Sequence, residues 1–246
     1  MTTQSTDPTT TSETTTTTTL ITGGNKGLGR ETARRLKEHG HRVVIGARDA
    51  ERGARAAEEL GVDWVELDVT SDASVAAAAR EVEERFGGLD VLVNNAGIAG
   101  PSTAVDEVDA AAITAVLDTN TVSAVRTIHA FLPQLRRSAN PVVVNVSSGL
   151  GSFAVRADTS RIESQIPTLA YSASKAALDM ITTIYAQFLP ELRVNVVDPG
   201  YTATELNGNS GPQTVTEGTD AVVAMATIAH DGPTGTFTDR HGVVAW

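Results

Sequence analysis

The sequence predicts a doubly wound α/β fold, a single parallel sheet of about seven strands with helices on both faces. Three observations carry that prediction. Apolar runs of strand length alternate with amphipathic or Ala-rich runs of helical length along nearly all of the 246 residues. A glycine-rich turn stands between the first apolar run and the first amphipathic one. Runs such as LDVLVNNAG, 89–97, are almost continuously apolar before they end in polar residues, as strands buried on both faces are.

Residues 1–14, MTTQSTDPTTTSET, hold nothing that could pack and read as a disordered Thr-rich tail. One domain is expected over 15–246. It opens on TTTTTLITGG, where β-branched residues lead through Leu20 and Ile21 to a glycine pair, a buried first strand with its stop. GRETARRLKEHG, 29–40, sets Ala33 and Leu36 among charges and ends in Gly40, the pattern of an amphipathic helix. Strands at 41–47 and 62–68 then alternate with helices at 50–60 and 72–86, and 89–97 follows as a central strand. The second half repeats the rhythm. A long helical stretch at 105–137 carries a break near Asn120, and after it come a strand at 141–148, a helix at 169–189, a strand and turn at 192–200, a helix at 214–229 and a last strand at 235–244.

Composition limits the function. No run of about 18 apolar residues is present to cross a bilayer, and no secretory leader is visible, so a cytoplasmic protein is expected. The formal net charge of −11 argues against nucleic acid as a partner, because phosphate neutralisation needs clustered Lys and Arg. With no cysteine there is no thiolate nucleophile, disulfide or Cys-based zinc centre, and no metal site is expected. The chemistry must then run on oxygen, nitrogen or a bound organic cofactor.

Three motifs supply it. Thr22-Gly23-Gly24-Asn25-Lys26-Gly27-Leu28-Gly29 lies at a strand-to-helix turn, where glycines let the backbone approach a pyrophosphate and the helix start offers free N–H groups. Asn94-Asn95-Ala96-Gly97 ends the fourth strand, where adjacent amides could bond a ribose and small residues admit a flat ring. Tyr171 and Lys175 are four apart on a predicted helix and share a face, so an ammonium can sit beside a phenol and favour its ionised form. Ser148, at the end of the fifth strand, would add a hydrogen bond to the oxygen that receives the tyrosine proton. Ser147 precedes it; alignment of the strand end favours Ser148.

In order, spacing and context these motifs resemble the short-chain dehydrogenase/reductase family from about residue 15 onward. The positions that carry the resemblance are Thr22, Gly23, Gly27, Gly29, Asp68, Asn94 to Gly97, Asn120, Ser148, Tyr171, Lys175 and Pro199-Gly200. It implies a Rossmann-type fold and reversible hydride transfer between a nicotinamide cofactor and a carbonyl or alcohol. Tyr171 would be the general acid or base, Lys175 would lower its pKa and bond the ribose, Ser148 would orient the carbonyl and Asn120 would hold a relay water. The resemblance also gives the cofactor Gly23, Asn25, Lys26, Gly27, Leu28 and Gly29, with Asn94, Ala96 and Gly97. Asp68 and Val69 would border the adenine. Beyond Pro199-Gly200, Thr202 and Thr204 are both candidates for the nicotinamide carboxamide.

Charge selects the dinucleotide. The second strand ends Gly46-Ala47-Arg48 with no acid where a carboxylate would bond a ribose 2′-hydroxyl, so Arg48, with Lys26, favours a 2′-phosphate and NADP(H). Asp49 should turn away and cap the next helix. TGGNKGLG, GARDAERG and GPTGTF resemble the carbonyl-reductase branch, which implies ketone or aldehyde substrates, with Leu150, Phe153, Tyr201 and Leu206 as candidate pocket walls. A non-catalytic NADP(H)-binding sensor is the alternative. The interval from Ser148 to Tyr171 is longer than in many members of the family. Its composition reads as a packed flap that forms a substrate wall or covers a helix face used for assembly, leaving monomer and homo-oligomer both open.

Overall fold

The computed structural model describes residues 16–246; the tail expected over 1–14 lies outside them. The first half runs β1 (Thr18–Thr22), α1 (Gly27–Glu38), β2 (Arg42–Ala47), α2 (Ala50–Leu60), β3 (Asp63–Glu66), α3 (Asp72–Phe86) and β4 (Val91–Asn94). The second half runs α4 (Ala110–Leu117), α5 (Ser123–Leu135), β5 (Val142–Val146), α6 (Phe153–Ala157), α7 (Leu169–Phe188), β6 (Arg193–Val197), α8 (Val215–Gly218), α9 (Asp220–Ala226), β7 (Phe237–Asp239) and β8 (Gly242–Val243). The strands form one sheet in the order β3-β2-β1-β4-β5-β6-β7-β8. Every pair is parallel except β7 with β8. Among the described residues no helix is long and apolar enough to cross a membrane.

Alternation along the strands builds two cores. Leu20, Val44, Leu92 and Val143 face α3, α5 and α7 through Val82, Phe131 and Ala186. Ile21, Ile45, Val93 and Val144 face α1, α2 and α9 through Leu36, Ala57 and Val222. A parallel sheet covered on both sides needs apolar residues at every strand position, which is why its strands read as continuous runs. Local signals set the helix bounds. Asp49 Oδ1 accepts from Arg52 N at 3.0 Å to start α2, as expected, and Gly61 ends it at φ 63°.

Three departures from the sequence reading have physical causes. The helical stretch expected from 105 begins only at Ala110, and the break expected near Asn120 is a π-helical turn at Asp118–Val122 between α4 and α5. The helix expected over 214–229 is two pieces, α8 and α9, that meet at Thr219. The last strand, expected over 235–244, is a parallel strand followed by a short antiparallel one. Asp239 Oδ1 turns the chain between them by accepting from His241 N at 2.7 Å and Gly242 N at 2.9 Å.

Candidate active site

The sheet order reverses between β1 and β4, and a crevice opens beyond their carboxyl ends. The glycine-rich turn forms one lip. Gly23 has φ 64°, and a Cβ on Gly29 would stand 2.5 Å from both Asn95 Nδ2 and Gly23 O, so only hydrogen fits there. Side chains of Asp49, Ser71 and Asp109 cap α2, α3 and α4, whereas α1 has no side-chain cap and no acid in its first turn. Free N–H groups at the start of α1 fit the pyrophosphate of a dinucleotide.

Thr22 stitches the lips together: its hydroxyl accepts from Asn95 N and Ala96 N, each at 3.0 Å. Asn95 Nδ2 donates to Thr22 O and Gly23 O at 2.9 and 3.3 Å. The idea that the adjacent amides bond a ribose is corrected here. Asn94 is buried, donating to Asn145 Oδ1 at 2.9 Å and accepting from Thr127 Oγ1 at 2.7 Å, so both amides brace the crevice from within. Ala96 and Gly97 remain at its floor.

Farther along the crevice, Asp68 Oδ1 accepts from Thr70 Oγ1 at 2.7 Å and Thr70 N at 3.0 Å. These bonds hold the carboxyl below its ordinary range, and Val69 lies buried next to it. Arg48 is exposed at the end of β2 and makes no ion pair among the described residues. Lys26 pairs instead with Glu205 at 2.8 Å, both side chains exposed, which ties the turn to the loop after Pro199-Gly200. In that loop Thr202 Oγ1 donates to Pro199 O at 2.9 Å, while Thr204 stands opposite Gly27.

Ser148, Tyr171 and Lys175 come together beyond the ends of β5 and β6. Lys175 is 4% exposed; its Nζ donates to Val146 O at 2.7 Å and lies 5.5 Å from the centroid of the Tyr171 ring. Burial pushes the Tyr171 phenol above its ordinary value, the carboxylate of Asp198 adds to the rise, and the Ser148 hydroxyl beside it opposes them. The net direction is therefore upward, opposite to the effect expected of Lys175 alone. Burial brings Lys175 down to about 8 against the pull of Asp179 and Asp198. Ser147 is buried with its hydroxyl 3.5 Å from Lys175 O, so Ser148 is the serine that reaches the phenol. Asn120 is pinned on three sides: Oδ1 accepts from Ile98 N at 2.8 Å, and Nδ2 donates to Ile98 O at 2.9 Å and Ser174 Oγ at 3.0 Å. Both amide hydrogens are therefore occupied.

The family model for short chain dehydrogenases matches residues 17–214. The chain belongs to the short-chain dehydrogenase family. It is 33% identical to (+)-neomenthol dehydrogenase of Arabidopsis thaliana over 91% of this chain and 96% of that one. It is 31% identical to salutaridine reductase of Papaver bracteatum over 89% and 93%. The structure of NADPH-bound carbonyl reductase from chicken fatty liver superposes with a TM-score of 0.83 at 28% identity, covering 94% of this chain and 99% of that one.

In this short-chain dehydrogenase the candidate substrate residues divide. Leu150 and Phe153 line a cleft of about 410 Å³ with Pro167, Leu169 and the α7 residues Ser172, Ala173 and Ala176. Leu150 N donates to Ser148 Oγ at 3.2 Å, which sets Leu150 beside the catalytic serine, whereas Phe153 is exposed at the cleft. Tyr201 and Leu206 sit half-exposed in the loop that carries Glu205, Tyr201 with its hydroxyl 2.7 Å from Ser210 Oγ. In the 149–170 segment, expected as a packed flap, Val155 is buried against Val196, Phe237 and Val244, whereas Phe153 and Ile162 are exposed. Met180, Ile184 and Phe188, farther along α7, are exposed.

Two residues of the site escaped the sequence reading. Asp198, buried at the end of β6, accepts from Gly200 N at 2.8 Å, and burial raises its carboxyl. Asp179 lies one helical turn beyond Lys175. Its signal was present, since Tyr171, Lys175 and Asp179 repeat the same spacing of four.

Proposed function

We propose that this oxidoreductase reduces a ketone or aldehyde to an alcohol with NADPH, through Tyr171, Ser148, Lys175 and Asn120. One observation carries the reading: a phenol, a serine hydroxyl and a buried lysine converge at the strand ends beside a helix start that no side chain caps. Gly23, Asn25, Gly27, Leu28 and Gly29 would hold the pyrophosphate, Asp68 and Val69 the adenine, and Thr204 the nicotinamide end. An unpaired Arg48, with Asp49 turned onto α2, supports a 2′-phosphate. When bound, the cofactor supplies a hydride to the carbonyl carbon. The carbonyl electron pair moves onto oxygen, Ser148 donates a hydrogen bond to that oxygen, and Tyr171 gives it the phenolic proton. A raised pKa keeps Tyr171 protonated until the alkoxide forms, and the Lys175 ammonium stabilises the phenolate left behind. Asn120 fixes Ile98 and α7 around these groups, so a relay water would meet its backbone rather than its amide. The chicken liver carbonyl reductase, bound to NADPH, and salutaridine reductase support the direction of reduction.

The test is a panel of ketones and aldehydes followed by NADPH consumption in the wild type and Tyr171→Phe. Turnover should fall roughly 10²–10⁴-fold with NADPH binding unchanged, since the phenol acts in the transition state. A Tyr171→Phe enzyme that keeps more than about a tenth of the turnover would refute the assignment.

A further inference from the structure

Tyr171, Lys175 and Asp179 stand in a row on the buried side of α7. Asp179 is 5% exposed, and among the described residues its carboxylate oxygens make no regular hydrogen bond, with the Ser147 hydroxyl the one group near enough to act on them. A carboxylate held this way is costly unless a charge answers it. The turn at 149–151 closes over it: a Cβ on Gly151 would stand 2.8 Å from Asp179 Oδ2 and 2.7 Å from the carbonyl carbon of Lys175. Lys175 needs the same answer. Its ammonium is buried, and its one bond runs to the neutral carbonyl of Val146. Two carboxylates act on it from beyond ion-pair distance, one helical turn away at Asp179 and at Asp198, and that of Asp198 is already engaged by Gly200 N.

Resting on the role given above to Lys175, we infer that Asp179 is a positioning residue, the buried counter-charge that holds the Lys175 ammonium in place behind Tyr171. The hydroxyl of the buried Ser147 lies near enough to draw the Asp179 carboxyl down. The charged groups acting on Asp179 are Lys175 on its own helix and Asp198 just beyond β6; Asp198 is in turn faced by Asp239 of β7 and by Glu163, which Arg161 pairs at 3.1 Å.

The sign of the pH effect follows. Burial lifts Asp179 to about 7 and lowers Lys175 to about 8, so both are charged together in the window between those two values. Neutralising Asp179 removes an attraction that raises Lys175 and leaves the desolvation that lowers it, so the lysine loses its proton at lower pH.

The experiment compares wild type, Asp179→Asn and Ser147→Ala as full chains by two readouts: the pH profile of NADPH-dependent reduction, and an NMR titration of the Lys175 side chain. In Asp179→Asn both the alkaline limb of turnover and the Lys175 midpoint should move down by about one unit, a roughly tenfold loss at a fixed pH on that limb. NADPH affinity near pH 6 should be unchanged. Ser147→Ala should move both the same way by less, and serves if the first variant fails to fold. An unmoved Lys175 midpoint in a folded variant, or turnover lowered equally at every pH, overturns the inference. Absence of any NADPH-dependent turnover in the wild type would sink the proposed reaction instead, and the lysine titration would still decide the pairing.

Discussion

Replacing Asn120 with alanine removes three hydrogen bonds, those to Ile98 N, Ile98 O and Ser174 Oγ at 2.8, 2.9 and 3.0 Å. A net contribution near 1 kcal/mol each sets a ceiling of about 3 kcal/mol. Ile98 is partly exposed, so water can recover part of its two bonds, whereas the Ser174 bond is buried and has no substitute. The expected loss is therefore about 2–3 kcal/mol, which for a chain of this size lowers Tm by roughly 4–12 °C. The consequence reaches the chemistry, because Ser174 also donates to Tyr171 O at 2.7 Å and Thr121 holds Ser174 O at 2.7 Å, so the π-helical turn is the clamp on the start of α7. Thermal unfolding followed by circular dichroism, together with turnover at a temperature where the variant is folded, tests this. Turnover should fall as well. A melting point within about 1 °C of wild type would refute the clamp, since it would mean that the three bonds contribute nothing.

Arg48→Asp exchanges a free cation for a carboxylate where a 2′-phosphate would lie. Losing a charge-assisted contact of about 1.5–3 kcal/mol should move the ratio of kcat/KM for NADPH and NADH at least tenfold toward NADH, and equal efficiencies in the unaltered enzyme would already defeat the cofactor assignment. In the 149–170 segment, Val155→Ala should cost roughly 1.5–3 kcal/mol in urea unfolding because Val155 is packed against Phe237 and Val244. Phe153→Ala, at an exposed position, should stay within about 0.5 kcal/mol and leave KM for small ketones unchanged; a raised KM would place the outer cleft on the substrate's path.

What the sequence disclosed and what it hid divide along local and tertiary lines. The bounds of α2 and α3 follow from caps and stops next to each other in the chain: Asp49 and Gly61, Ser71 and Gly87. Ser148, Tyr171 and Lys175 were legible because strand ends and helix spacing place them together. Asn94 was misread because a polar residue at a strand end looks the same whether it faces a ligand or an interior network. Here it belongs to a buried chain running from Thr127 through Asn94 and Asn145 to Thr182, a pairing set by packing of β4, β5, α5 and α7. The phenol was expected to shift down because Lys175 was visible four residues away. What opposes it, burial and the Asp198 carboxylate at the end of β6, comes from residues distant in the chain.

The place of β1 in the sheet has a consequence for synthesis. Its partner β2 follows soon: Thr19 and His41, joined at 2.8 Å, are 22 residues apart. Its other partner, β4, is distant, since Thr18 N donates to Asp90 Oδ2 across 72 residues. On a ribosome adding about 5–20 residues per second, the central strand waits roughly 4–14 s with one edge open. An unpaired edge carrying Leu20 and Ile21 is a template for pairing with another nascent chain. Expression at lower temperature slows unwanted association more than it lengthens that wait only if elongation keeps pace, so yield of soluble protein should depend on chaperone supply during the first hundred residues rather than on the stability of the finished sheet.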